Sequence, residues 1–117
     1  MSDKDKNNKP WGFFVNIYGE DGFIVKKIVV NPGHRLSLQK HVHRSEHWFV
    51  ICGTGKLQLE NRKIELETGN AIDIPRNAWH RIKNTGEIDL VFIEIQQGAP
   101  LIEEDIERKE DDYGRAD

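Results

Sequence analysis

Between residues 39 and 47 the sequence reads QKHVHRSEH, so that Gln39, His41, His43, Glu46 and His47 fall within nine positions. Imidazole nitrogens, a carboxylate and an amide oxygen are metal donors, and imidazole also moves protons near neutral pH. In an extended strand every second side chain shares a face, which predicts that residues 39, 41 and 43 point the same way. A polar row on a packed face is costly unless something binds there. Two further residues carry the same signal. Arg35 has the parity of Ser37, Gln39 and His41, and Glu94 interrupts the apolar run LVFIEIQ on the face of Phe92 and Gln96.

The elements that must position these groups read as short strands. Apolar, β-branched and aromatic residues fill 11–18, 22–30, 36–42, 46–52, 56–60, 63–67, 71–74, 78–84 and 89–96, and turn residues separate them. That spacing predicts an all-β closed barrel or sandwich. The stretch after Pro100 is the one helical candidate, an acidic tail over 103–117. The charged start at 1–9 is expected to be disordered, which leaves 10–102 as the barrel.

Composition narrows the function. At 117 residues the chain makes one domain. Its formal charge of −3 divides into −5 over 103–117 and +2 elsewhere, which leaves no basic stripe for nucleic acid. No apolar run reaches membrane-span length, and no signal peptide is evident. Cys52 is the single cysteine, expected to be buried and inert, and a cytoplasmic location is expected.

Two spaced patterns organise the candidates. One runs Gly33, five residues, Gln39, one residue, His41, four residues, Glu46, six residues, Gly53. The other runs Gly69, five residues, Pro75, one residue, Asn77, two residues, His80, three residues, Asn84. These resemble the two signature motifs of the cupin superfamily, a jelly-roll barrel, with Gln39 in place of a histidine and Asn77 in place of a glycine. Asn tolerates the left-handed conformation such a turn needs. The segments NPGHRLSLQKHVHRSEHWFVICGTG, IPRNAWHRIKN and IEIQQGAPLIEEDIERKEDDYGR are similar to the cupin domain of type II mannose-6-phosphate isomerases, over about Pro10 to Arg115. The tail departs from that family at Pro100, Ile102 and Glu104.

The resemblance implies Gln39, His41, Glu46 and His80 as ligands of a divalent metal, with Zn leading and Mn, Co or Ni as alternatives. It implies interconversion of mannose 6-phosphate and fructose 6-phosphate through an enediol, on the way to GDP-mannose, with no guanylyltransferase activity. His43 and Glu94 are both candidates for the proton-transfer base. Arg35 is the candidate for the substrate phosphate, joined by Tyr113 and Arg115 from the YGR ending. Lys40, Arg44 and Arg81 have outward parity and read as solvated charges, and His34 and His47 as turn and outer-face residues. A homodimer is expected, from family habit and from Leu36, Leu38 and Val42 facing outward. Two other readings stay open: a different metal-dependent cupin enzyme, and a non-catalytic sugar-phosphate or sugar-nucleotide module.

Overall fold

The computed structural model describes residues 6–114. Eleven strands form two antiparallel sheets that face one another. The six-stranded sheet has the order β1-β2-β3-β10-β5-β8, built from Lys6–Lys9, Gly12–Glu20, Phe23–Val30, Leu90–Gly98, Arg44–Cys52 and Ala71–Ile74. The five-stranded sheet has the order β11-β4-β9-β6-β7, built from Glu107–Glu110, Leu38–Lys40, His80–Asn84, Gly55–Leu59 and Arg62–Leu66. Chain neighbours such as β4 and β5 lie in opposite sheets, so the first motif bends from one sheet to the other. Between them is a core that includes Phe14, Trp48, Val50, Leu57, Ile82 and Phe92.

The periodicity of the strands explains the layering. Along β5 the burial alternates, with Arg44, Glu46, Trp48 and Val50 inside and His47, Phe49 and Ile51 outside. On β9, His80 and Ile82 are likewise buried.

Several expectations change. Among the described residues there is no helix, and the tail after Pro100 instead lays β11 antiparallel on β4, with Arg108 opposite Gln39. Its acidic residues are taken up by partners on the barrel: Asp105 Oδ1 and Oδ2 accept from the backbone N–H groups of Val42 and His43, both at 2.8 Å. The barrel therefore runs past residue 102. At the other end Lys6–Lys9 is a strand, not a disordered segment. It pairs with β2 from Lys6↔Val15 to Lys9↔Gly12, and the Lys6 and Lys9 ammonium groups sit over the Phe13 and Phe14 rings. Residues 1–5 and Arg115 lie outside the described residues.

Leu38 is buried and Leu36 packs against the core, so neither is an outward apolar residue; Val42 is exposed. Cys52 is exposed at the end of β5, where the ladder to β10 slips between Val91 and Phe92. Asn77 does hold a positive φ of 64°, and its N–H donates to the His41 carbonyl at 2.8 Å, which ties the two motifs together. Gly98 has φ 155°, and a Cβ there would lie 2.0 Å from the His43 carbonyl oxygen, so only glycine lets β10 end against the start of β5. No helix of the described residues is long and apolar enough to cross a membrane.

Candidate metal centre

Three strands and one bend bring the ligand-type residues together. His41 lies just past β4, Glu46 is on β5 and His80 opens β9; all three are buried, and their candidate ligand atoms lie within 4.8 Å of one another. His41 Nε2 is 3.3 Å from Glu46 Oε2, His80 Nε2 is 4.0 Å from Glu46 Oε1, and the two imidazole rings stand 5.2 Å apart.

Each imidazole is oriented from behind. His41 Nδ1 donates to the Asp105 carbonyl at 2.7 Å, and His80 Nδ1 donates to the Ala78 carbonyl at 2.9 Å. A carbonyl oxygen only accepts, so Nδ1 carries the proton in both rings and the Nε2 lone pair turns toward Glu46. Burial keeps both rings neutral: it pulls His41 down to about 4, aided by the cationic Arg44 and by His80, and it lowers His80 too. Two neutral imidazoles presenting Nε2 beside one carboxylate fit a divalent transition metal such as Zn.

Glu46 is fixed by its own neighbours. Its Oε1 accepts from Trp48 Nε1 at 2.9 Å, and its Oε2 accepts from Arg44 Nε at 2.8 Å. Arg44 also reaches His41 Nε2 at 3.2 Å. The Arg44 guanidinium thus rests on atoms that a cation would use, and this placement and a cation bound there exclude each other.

Glu94 stands in the same interior, opposite Trp48 on β5 and Lys26 on β3. It is buried, hydrogen-bonded to Glu46, and accepts from Gln96 Nε2 at 2.8 Å. Burial, and next the Glu46 carboxylate, push its carboxyl up to about 8. Gln39 pairs with His80 across β4 and β9 and lines the same cavity; its amide nitrogen donates to Ser37 Oγ at 3.1 Å.

The other candidates lie elsewhere. His43 is exposed and lines a surface depression with Val42, Pro100 and Ile102. Residues 41–43 form a bend instead of a strand, so the count by twos from His41 breaks and His43 turns out. Arg35 also points away from the interior: its guanidinium makes a two-pronged pair with Asp112 at 2.7 and 2.9 Å, and its side chain is 40% exposed. Tyr113 is half-buried, with its hydroxyl 2.6 Å from His34 Nδ1 and its ring stacked on that imidazole. His47 is on the outer face as expected, paired with Asp73.

Sequence reasoning missed Arg44 and Arg81 as buried groups. Arg81 Nε donates to the Leu36 carbonyl, and its other nitrogens reach Glu110. For Arg44 the signal was present, since it stands two before Glu46 in one strand and shares its inward parity. Lys26 and Arg108, which line the cavity, had no such signal.

The comparisons with known proteins agree with this geometry. Residues 1–111 match the family model described as mannose-6-phosphate isomerase C-terminal. The chain is 45% identical over 107 residues to the alginate biosynthesis protein AlgA of Pseudomonas aeruginosa, and 42% identical over 107 residues to the mannose-1-phosphate guanylyltransferase of Escherichia coli. Each match takes 92% of this chain and 22% of the relative, so the chain spans about a fifth of the length of these curated relatives. Among solved structures, KdgF from Halomonas sp. superposes with a TM-score of 0.76 at 18% identity, covering 84% of this chain and 92% of that one. The Schizosaccharomyces pombe Cnp3 cupin domain gives 0.72 at 14%, covering 76% and 66%. A putative sugar phosphate isomerase from Acidithiobacillus ferrooxidans gives 0.67 at 25% identity, covering 80% and 66%. The barrel has the fold of the Cnp3 cupin domain, and the chain belongs to the mannose-6-phosphate isomerase C-terminal family.

Proposed function

We propose that this domain is a metal-dependent aldose–ketose isomerase that interconverts mannose 6-phosphate and fructose 6-phosphate. The observation that carries the proposal is the buried cluster of His41, Glu46 and His80 with a second buried carboxyl, Glu94, close enough to Glu46 for the two carboxylates to repel. Family membership supports the substrate class.

The reaction moves a proton between C2 and C1 of the open-chain sugar through an enediol. Glu94 is the group that carries it: as a carboxylate it accepts the C2 proton of the aldose, and as an acid it returns that proton to C1, while the hydroxyl proton passes from O2 to O1 so that the C1 aldehyde becomes a hydroxyl and C2 the ketone. Its raised pKa suits a group that must both take and give a proton near neutral pH. Gln96 holds the Glu94 oxygen in place. His41, Glu46 and His80 would hold the metal. A divalent cation bound there supplies Lewis-acid stabilisation of the negative charge on the sugar oxygens and a positive field that favours ionised Glu94. Trp48 and Phe92, stacked at 4.4 Å, pack in the core beside the ligand residues, and Trp48 Nε1 holds Glu46 Oε1.

The test is a coupled isomerase assay on the full chain loaded with Zn, Mn, Co or Ni and on the chelated protein. Turnover with metal and its loss on chelation support the proposal. Tight binding of mannose 6-phosphate with no turnover under any of these metals replaces it with a sugar-phosphate-binding module. The expected second copy of the chain belongs to the same proposal. The apolar side chains open to it are Phe49, Ile51 and Ile95, on the outer face of the six-stranded sheet, and sedimentation of Phe49→Asp against the native chain checks it.

A further inference from the structure

With Arg35 turned to Asp112 outside the barrel, a phosphorylated substrate needs another cation. Four stand on the cavity wall beside Gln39 and Glu94, namely Lys9, Lys26, Arg44 and Arg108; of these Lys9 is exposed, with its ammonium over the Phe14 ring. Arg44 is hydrogen-bonded to Glu46 and His41 in this structure, and a cation bound there would displace it. The other two differ from it. Lys26 is 3% exposed, and its ammonium lies 4.3 Å over the Phe14 ring and pairs at the rim with Glu103 at 2.7 Å, whose side chain is 67% exposed. Arg108 Nε is buried and has no hydrogen-bond partner, the one such side-chain atom among the described residues. A buried guanidinium N–H without an acceptor is costly, and an oxygen of an incoming anion would satisfy it.

The placement of these two cations supplies a direction. Lys26 belongs to the six-stranded sheet and pairs with Glu94; Arg108 belongs to the five-stranded sheet and pairs with Gln39, which in turn pairs with His80. The two face one cavity from opposite sheets, Lys26 one strand from Glu94 and Arg108 two strands from His80. We propose that Lys26 and Arg108 form the phosphate subsite, taking the monoester dianion of the substrate between them while Glu103 withdraws to solvent. The Glu103 carboxylate occupies the place of that dianion in the free protein and competes with it. This assignment rests on the isomerase reading for the sugar, but not for the phosphate.

Calorimetric titration of the metal-loaded full chain with mannose 6-phosphate, with mannose and with inorganic phosphate tests it. Arg108→Gln should weaken mannose 6-phosphate and inorganic phosphate by roughly 10–100-fold, the range for one charge-assisted hydrogen bond, and leave mannose and metal content unchanged. Arg108→Lys should recover part of the loss. Glu103→Gln, an exposed substitution that keeps the fold, should tighten inorganic phosphate. In turnover the loss should appear in KM for the phosphorylated sugar and not in kcat. An equal loss for mannose, or unchanged phosphate affinity in both Arg108→Gln and Glu103→Gln, overturns the subsite. If phosphate binding responds as expected while no isomerisation occurs, the subsite stands and the isomerase reading fails. If isomerisation proceeds with an unchanged KM in Arg108→Gln, the subsite alone fails.

Discussion

The two faces of β5 carry similar residue types and opposite consequences. Outside, His47 pairs with Asp73 at 2.7 Å, but with side chains 47% and 84% exposed the pair sits in water and contributes little. Inside, Glu46 is gripped by Trp48 and Arg44, and the imidazole beside it is held neutral by burial. One residue step along a strand separates an ordinary surface pair from a ligand set. Burial, and the hydrogen bonds that burial demands, make the difference.

The contrast can be broken most sharply through Glu94, on the interior of the neighbouring strand. Glu94→Gln should lower turnover by about 10²–10⁴-fold while metal content is kept, whereas His43→Ala should change turnover less than about twofold. Steady-state kinetics with parallel elemental analysis checks both, and equal losses would erase the distinction between inside and outside. Next in size, His41→Ala should weaken metal binding by roughly 100-fold or more, and His47→Ala should leave it unchanged; competition titration against a chelator reads this out.

For stability, Trp48→Ala should cost about 3–5 kcal/mol in urea unfolding, because it empties a packed site and strips Glu46 Oε1 of its donor. His47→Ala, with its side chain 47% exposed on the other face, should stay within about 1 kcal/mol.

The smallest effect is one of pH on the metal-free protein. His41 falls from 6.5 to about 4 in the fold, so its contribution is whole above 6.5 and erodes as pH drops toward 4. Glu94 rises from 4.5 to about 8, so the fold holds its proton and loses stability as pH climbs through 8. From 4.5 to 6.5 the two slopes oppose each other. Between 6.5 and 8 only the Glu94 slope remains, and the chelated protein should lose up to about 1 kcal/mol per pH unit. Glu94→Gln should flatten that limb, which unfolding at pH 6.5, 7.2 and 8 would reveal.

Much of this was legible in the sequence. Period-two alternation and Gly or Asn breaks located nine of the strands, and the spacing of His41, Glu46 and His80 located the residues that converge. The failures have a common physical cause. Counting by twos holds only while the backbone stays extended, and the bend at 41–43 resets the count, which sent His43 outward and Arg44 inward. Arg35 failed for a related reason, since it precedes β4 at a single isolated bridge to Lys83. Lys26 and Arg108 were invisible because their burial is imposed by pairing with strands distant in the chain, which no local window records. The tail looked helical for the same reason: its extended form depends on β4.

The hydrogen bond from His41 to the Asp105 carbonyl spans 64 positions of the chain. Proteins are made from one end, so β4, β5 and β9 leave the ribosome while that imbalance persists: the His41 ring has no acceptor behind it until residue 105 follows. At ordinary elongation rates the delay is roughly 3–13 s. During that interval β10 is made late and β11 not at all, so the five-stranded sheet lacks its edge strand and the His41 tautomer is unset. The orientation of the His41 ring is therefore fixed late in synthesis, timed by a single backbone carbonyl in the closing segment.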